Sequence, residues 1–576
     1  MKLSFNEQSN RSFLKFLFAP LIINFIIEFF SRRSLINTLG YIFGSPLVFL
    51  YNSLIILSTL SIVLLFKRRR FLFTLITTIW IGFGVTNGII LSNRVTPFTA
   101  TDLTLAEFGL GIISKYLSKF VTIIISGLLI ILVLSLVFLF FKGPKLKEKI
   151  NYKRNILIVT SIWITLFAST KLALNTNILS SYFGNIAFAY LDYGFPYCFS
   201  NTLLNTGIHK PSDYSLEKIK SISSLISSNE TANNEIEENN ILLATNGNGL
   251  NPNIIMVQLE SFFDPELVNF LSFSQDPVPN FRYLMENYSS GYLTVPSVGA
   301  GTANTEFEVL SGMSLKFFGP GEYPYKTILK ESTAESVNYN LRELGYSSHA
   351  IHNNKGTFYN RNFVFSQLGF DTFTSLEYMD IEEFNPNDWA KDYYLTDEIL
   401  KSLDSTDDCD FIYTISVQSH GDYPKEKVLE NPLISVYGLS DEGTTNSFTY
   451  YINQLYEVDQ FIGDLVQALS ERDEKTVLVL FGDHLPTLGL KDEDLDNGSI
   501  FQTEYVIWDN FSLEKDNKDL TSYQLTSSIL NRLNIDNGVL NKFHNQFKDS
   551  EDYLDDLKLL QYDMLYGQKY IYGGEN

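Results

Sequence analysis

The apolar positions of this chain follow two different regimes. Before residue 175 they form long unbroken stretches, at residues 14–30, 46–66, 71–91, 121–141 and 156–172. A helix needs about 20 apolar residues to cross a ~30 Å hydrocarbon core. The middle three stretches reach that length; the first and last are shorter, and the first also holds Lys15 and Glu28. A cleavable signal peptide has a single apolar run, so the pattern predicts a multi-span anchor of five helices.

From about residue 253 the apolar runs become short. Ile254-Ile-Met-Val-Gln-Leu259, Phe411-Ile-Tyr-Thr-Ile-Ser-Val417 and Val477-Leu-Val-Leu-Phe481 read as buried parallel strands, with helix-like stretches at 332–344 and 450–469. Strands alternating with helices imply an α/β domain whose central sheet is mostly parallel and covered on both faces. Between the two regimes lies an aromatic segment at 182–199, suited to a membrane–water interface. Residues 221–249 are rich in Ser, Asn and Glu and lack aromatics, which predicts an exposed linker. The expected organisation is an anchor over 1–175, a juxtamembrane segment and linker over 176–250, the α/β domain over 251–547 and a C-terminal tail over 548–576.

Charge sharpens this division. Residues 1–175 hold 19 Lys and Arg against 5 Asp and Glu, whereas the remainder holds 24 against 60. An acidic domain is a poor partner for nucleic acid, whose phosphates need a basic face, and a natural one for metal cations. Basic clusters at 67–70 and 142–154 mark the loops they occupy as cytoplasmic. Five spans then place the N-terminus inside and everything after the fifth span outside; Arg32 and Arg33, in an outer loop, run against this. The two cysteines, Cys198 and Cys409, form no CxxC pair, so neither a thiolate metal site nor a disulfide framework is indicated.

Each of the three strands runs into polar residues: the first into Glu260, the second through Gln418-Ser419 to His420, the third through Gly482 to Asp483-His484. Open α/β sheets bind ligands beyond the carboxyl ends of their strands. Carboxylate and imidazole donors gathered there suit a divalent cation. Taken singly, each residue could equally be a cap or part of a turn; it is their convergence on one edge that indicates a site. Gly299-Ala-Gly301-Thr302 then precedes a helix-compatible run, an arrangement that lets backbone approach a phosphate and offers it free N–H groups. A threonine hydroxyl becomes nucleophilic when a metal lowers its pKa. The alternative is that Thr302 is only a helix cap, with Thr305 as its rival.

The strand ending in Glu260, Gly301-Thr302 followed by Thr305-Glu-Phe307, and Gly482-Asp-His484 resemble the lipoteichoic acid synthase family of phosphoglycerol transferases, within the alkaline phosphatase and sulfatase superfamily. Asn24-Phe-Ile-Ile-Glu-Phe-Phe-Ser-Arg-Arg33 and Arg94-Val-Thr-Pro-Phe-Thr-Ala-Thr-Asp102 extend the resemblance into the anchor. It implies a sulfatase-like catalytic domain in which Glu260, Thr302, Asp483 and His484 hold one divalent ion, usually manganese with magnesium or zinc as other candidates. Thr302 would be the nucleophile. It further implies a substrate pocket formed by His352, Asn354, Tyr359, Arg361 and His420, with Arg361 gripping phosphate. Asn354 and Tyr359 depart from the Asp and Trp of the best-known members.

The implied activity moves glycerophosphate from phosphatidylglycerol to a glycerophosphate polymer or glycolipid, through a glycerophospho-threonine, at the outer face of a multi-pass membrane protein. A phosphoethanolamine transferase, a phosphodiesterase, or a tethered binding module without activity are the other readings. A true sulfatase is disfavoured, because neither cysteine sits in a Cys/Ser-x-Pro-x-Arg setting. His209, His349 and His544 read as structural or surface residues. Trp389 reads as core packing, with a place at the pocket border as the alternative.

Overall fold

The computed structural model describes residues 7–91, 96–104, 119–181, 183, 186–227 and 252–574. The chain divides into two units, Met1–Thr206 with Gly319–Glu322 and Gly207–Phe318 with Tyr323–Asn576.

The first unit is helical. Three of its helices, Pro46–Leu65, Arg69–Ile90 and Tyr152–Asn175, are long and apolar enough to cross a membrane among the described residues. The sequence pattern implied five. The two remaining stretches are helical too, within Glu7–Arg32 and Lys119–Lys142. The first of these carries a buried ion pair, Glu28 with Arg32 (Oε2 to Nε 3.2 Å), which explains the misplaced charge noted above: Arg32 is neutralised inside the unit. Of the 94–102 segment, residues 94 and 95 lie outside the described residues. The rest is pinned as a connection, with Asn87 Oδ1 accepting from Phe98 N at 2.8 Å.

The aromatic segment folds as two short helices, Ile186–Tyr193 and Phe195–Leu204, on either side of Gly194. The N-terminus of the second helix borrows its caps from the anchor. Phe195 N donates to Glu28 Oε1 at 2.8 Å and Tyr197 N to Asn52 Oδ1 at 2.7 Å. The same side chains close the preceding helix, since Arg32 Nη2 donates to Leu191 O and Asn52 Nδ2 to Tyr193 O, each at 2.7 Å. Gly194 (φ 78°) is required there, because a Cβ would lie 2.5 Å from the Tyr41 hydroxyl. Ala187-Phe-Ala189, a small-residue triplet, lies inside the first of these helices with Ala189 buried.

The second unit is an α/β sandwich. Its strands are β1 (Asn253–Leu259), β2 (Ser272–Phe273), β3 (Ser289–Thr294), β4 (Ser347–His352), β5 (Thr372–Ser375), β6 (Asp410–Ile415), β7 (Val436–Tyr437), β8 (Thr476–Gly482), β9 (Gln502–Asp509) and β10 (Leu520–Thr521). Eight of them form one sheet in the order β10-β3-β9-β8-β1-β6-β4-β5, and β2 pairs with β7 separately. β8, β1, β6, β4 and β5 are mutually parallel, while β9 runs antiparallel to both β8 and β3, so the sheet is mixed but mostly parallel. The three strands read from the sequence are the adjacent central ones.

Every residue of β1, β6 and β8 is buried. That is what a continuous apolar run means when both faces are covered. Along β1, Ile254 and Met256 enter one core and Ile255, Val257 and Leu259 the other, following the two-residue period of a strand. The long helix Glu442–Ser470 covers the second face; Thr302–Ser311, Ser522–Arg532 and Tyr553–Leu565 cover the first. Two expected helices differ in length. The first is shortened to Val337–Arg342, because Ser336 is extended (φ −148°) with its hydroxyl bonded to Leu368 O. The second starts early at Glu442, because Asp441 caps it through Thr444 N at 2.8 Å.

Residues 221–227, expected as linker, are helical with Ile222 and Ile226 buried; 228–249 lie outside the described residues. The stretch 548–576 includes a helix whose Leu557, Leu559 and Leu560 join the core. Both cysteines are free thiols.

Glu504, on β9, provides a stability test. It is 2% exposed, its Oε2 accepts from Asp264 N at 3.1 Å and its Oε1 has no partner. Burial, then the Asp264 charge, pushes its carboxyl from 4.5 up to about 8. Between those values the folded chain holds a proton that the unfolded chain has released, so stability falls as pH rises and levels off above about 8. Glu504→Gln is expected to flatten this slope. Unfolding of the detergent-solubilised chain should find the variant more stable than the parent at pH 8, with the advantage gone near pH 4.

Candidate active site

Register brings the strand ends level. Leu259 pairs with Gly482 across β1 and β8, Gln258 with Ile415 across β1 and β6, and His352 with Ile415 across β4 and β6. Glu260, Asp483-His484, the 416–420 segment and the 352–361 loop therefore leave one edge together. Gly482 is required at the crossing, because a Cβ there would sit 1.9 Å from Phe262 O. Ser261 adopts φ 51°, rare for a residue with a side chain. That turn aims its N–H at Asp483 Oδ1 (2.8 Å) and its hydroxyl at Glu260 Oε1 (3.0 Å). Local strain of this kind persists where surrounding contacts over-determine it, here including Tyr451 OH donating to Ser261 O at 2.7 Å.

Glu260, Asp483 and His484 form a buried cluster, each offering a ligand atom within 4.8 Å of the others. His484 Nδ1 lies 3.0 Å from Leu485 O, which can only accept, so Nδ1 carries the proton and Nε2 a lone pair. That lone pair faces Asp483 Oδ2 at 3.5 Å and Glu260 Oε1 at 3.6 Å. Neither His484 Nε2 nor Asp483 Oδ2 has a hydrogen-bond partner, although both are buried. Burial and then the Glu260 charge push the Asp483 carboxyl well above its usual range, and burial lowers His484 despite Glu260. Three electron-rich groups pointing at one another without a proton between them fit a divalent cation, and the mixed O and N donor set agrees.

Thr302 opens the helix Thr302–Ser311 next to this cluster, and its Oγ1 donates to Glu260 Oε2 at 2.9 Å. Gly301 (φ 104°) makes the turn, where a Cβ would come within 2.6 Å of Ser297 Oγ. Gln258 Nε2 holds the Thr302 carbonyl at 3.1 Å. Thr305, the rival, bonds through its hydroxyl to Asp483 O at 2.8 Å and so braces the site from behind.

The second group of residues lies along the edge toward β4. Arg361 is 1% exposed and forks onto Glu306, Nε to Oε2 at 3.0 Å and Nη2 to Oε1. Its third nitrogen, Nη1, is buried without a partner. Glu306 lies one helical turn beyond Thr302, so one helix carries both the hydroxyl and the carboxylate that orients the guanidinium. Glu306 falls inside the Thr305-Glu-Phe307 motif, but nothing in the sequence assigned it a role of its own. His352 Nδ1 donates to Ile415 O at 2.9 Å, and burial followed by the Arg361 charge lowers its pKa well below the usual value. His352 is thus a neutral ring whose Nε2 accepts.

Tyr359, in a left-handed turn (φ 54°), stacks on Tyr323 with centroids 5.6 Å apart and lies 5.1 Å from the Arg361 guanidinium. Asn354 is half-buried and its Oδ1 accepts from Lys355 N at 2.7 Å, within its own loop. His420 is partly exposed, with Nδ1 3.2 Å from Gly421 O and its ring against Trp389.

Asp392, another residue the sequence did not flag, ties the two histidine loops together. Its carboxylate accepts from Asn353 Nδ2 (2.7 Å), Val417 N (2.9 Å) and Gln418 N (3.2 Å), and burial raises it to about 6. His349, between Thr372 and Asp410, and His544, between Tyr553 and Gly312, are buried and fully bonded; His209 is exposed.

Comparison with known proteins places this geometry. Residues 252–535 match the Sulfatase family model. The chain is 30% identical over 364 residues to a putative cyclic β-1,2-glucan modification protein of Rhizobium meliloti (strain 1021), a match covering 55% of each protein. It is 25% identical over 244 residues to lipoteichoic acid synthase of Staphylococcus saprophyticus, covering 40% of this chain and 35% of that one. The chain thus spans about half the length, or less, of these curated relatives. A phosphoglycerol transferase of Streptococcus pyogenes, solved with sn-glycerol-1-phosphate, shares the fold at a TM-score of 0.54 and 24% identity, over 64% of this chain and 98% of that one. Residues 252–535 are thus a sulfatase-family domain, in a chain similar to the lipoteichoic acid synthases of the alkaline phosphatase and sulfatase superfamily.

Proposed function

We propose that this protein transfers glycerophosphate from phosphatidylglycerol to a hydroxyl of a cell-envelope polymer or glycolipid, at the outer face of the membrane that its helices span. The observation that carries the reading is the Thr302 hydroxyl, 2.9 Å from Glu260 and one helical turn from the carboxylate that orients Arg361. A divalent cation held by Glu260, Thr302, Asp483 and His484, manganese first among candidates, would acidify the threonine hydroxyl and offset charge on the phosphoryl oxygens.

In the first step Thr302 Oγ1 passes its proton to Glu260 Oε2, its hydrogen-bond partner, and bonds to phosphorus; the bond from phosphorus to the diacylglycerol oxygen breaks, and that oxygen leaves with a proton. His420, the more exposed histidine, would supply it. Arg361 Nη1, with its other two nitrogens fixed by Glu306, donates to a phosphoryl oxygen, where preorganised charge contributes most to such reactions. His352 Nε2 accepts from a hydroxyl of the transferred group, and Asn354 and Tyr359 border it. In the second step an acceptor hydroxyl gives its proton to His420 and bonds to phosphorus, and Thr302 leaves, taking back the proton held by Glu260. The relatives whose names concern a glucan and lipoteichoic acid agree with an envelope acceptor. A phosphoethanolamine transferase or a phosphodiesterase would use the same centre.

Thr302→Ala is expected to lower diacylglycerol release from phosphatidylglycerol at least about 1,000-fold. Mass spectrometry of the parent protein after incubation with donor should find a glycerophosphate adduct on Thr302. Turnover surviving in the alanine variant would refute the nucleophile. A chelator should abolish release and added manganese restore it, and phosphatidylethanolamine in place of the donor tests the transferred group.

Breaking the buried pair by Glu306→Gln should destabilise the protein by about 3–5 kcal/mol. The double change Glu306→Leu with Arg361→Met should recover most of that stability and none of the activity. Thermal unfolding read beside diacylglycerol release separates the two effects.

A further inference from the structure

Residues 384–392 form a loop built to hold one half-exposed ring. Asn385, 3% exposed, accepts at Oδ1 from the N–H groups of Asn387 (2.9 Å) and Trp389 (3.0 Å) and donates from Nδ2 to Gln418 O (2.8 Å). Asn387 Nδ2 reaches Asp422 O at 2.6 Å, Asp388 takes a left-handed turn (φ 60°), and Phe384 bridges to Ala390. Fully buried Asp392 closes the loop onto the segment that carries His420. The Trp389 indole is presented against the His420 ring, centroids 4.4 Å apart and planes 43° apart, with part of its surface open. This tryptophan is fixed beside the histidine with part of its indole accessible.

The charge around it is one-sided. Residues 376–390 carry Glu377, Asp380, Glu382, Glu383 and Asp388, all exposed, and neither Lys nor Arg. Lys391, the next cation along the chain, is paired with Glu457. The phosphate end of the site has buried Arg361, whereas at this end the carboxylates outnumber the cations, with Lys355 near Glu377 and Lys401 near Asp380. An anionic polymer arriving past five carboxylates meets repulsion over roughly a Debye length of ~8 Å. A neutral sugar ring meets none: its C–H face fits the indole, and its hydroxyls can donate to carboxylates.

Resting on the transfer reading above, we propose that Trp389 and the acidic rim over 376–390 form the acceptor subsite, and that the acceptor is an uncharged saccharide rather than a polyanionic chain. One ring packs on Trp389 and a neighbouring hydroxyl is held at His420. The subsite selects the second substrate and takes no part in binding the lipid phosphate.

The test is calorimetric titration of the full chain in detergent with a neutral glucose oligosaccharide and, separately, with a glycerophosphate oligomer of equal length. The saccharide should bind, Trp389→Ala should weaken it at least about tenfold, and Trp389→Phe, which keeps a ring, should weaken it less. The oligomer should bind more weakly than the saccharide, gain affinity as salt rises, and gain again in Asp380→Lys with Glu382→Lys, two exposed positions. Tighter binding of the oligomer than of the saccharide by the parent protein would overturn the proposal, as would unchanged saccharide affinity in Trp389→Ala. Diacylglycerol release by the parent protein without acceptor is scored separately. Absent release condemns the transfer reading, whereas intact release with Trp389-independent saccharide binding condemns the subsite alone.

Discussion

Two buried carboxylates lie 3.5 and 3.6 Å from the His484 nitrogen, an arrangement that a positive charge between them would stabilise. That electrostatic demand organises the whole catalytic edge. It accounts for the left-handed Ser261, whose N–H and hydroxyl hold both carboxylates. It accounts for Gly482, the one residue small enough to let β8 deliver Asp483 beside β1. It also sets the position of Thr302, whose hydroxyl hydrogen-bonds the same Glu260 that closes the cluster.

Around this centre the site is graded in charge and exposure. Arg361 and Glu306 are fully enclosed, so the guanidinium cannot be screened by water or wander among rotamers, and its one unpartnered nitrogen has a single direction to serve. His352 is enclosed as well and neutral, so it accepts where Arg361 donates. Toward His420 and Trp389 the protein opens and becomes acidic. On the proposed reading, one end would take an anionic phosphodiester and the other an uncharged hydroxyl compound.

How much of this could be read from residues alone depended on burial. β1, β6 and β8 were legible because strands covered on both faces need unbroken apolar runs, and the polar residues ending them stood out by contrast. β4, with Ser347-Ser348-His349-Ala350-Ile351-His352, was not, since its buried polar groups are satisfied by Asp371, Thr372 and Asp410 from elsewhere in the chain. The roles of Glu306 and Asp392 were not legible for the same reason: their partners lie 55 and 25 positions away. The apolar stretches pointed to five spans, and among the described residues three helices are long and apolar enough to cross a membrane.

The helix Phe195–Leu204 has no start of its own. Gly194 offers no side chain, Pro196 no N–H, and the remaining donors are received by Glu28 and Asn52 from helices some 140 to 170 residues earlier, an interval set by their separations of 167 and 145 positions. During synthesis this turn therefore cannot reach its final form until those earlier helices have formed and come together. Its caps form only around a correctly gathered set of earlier helices.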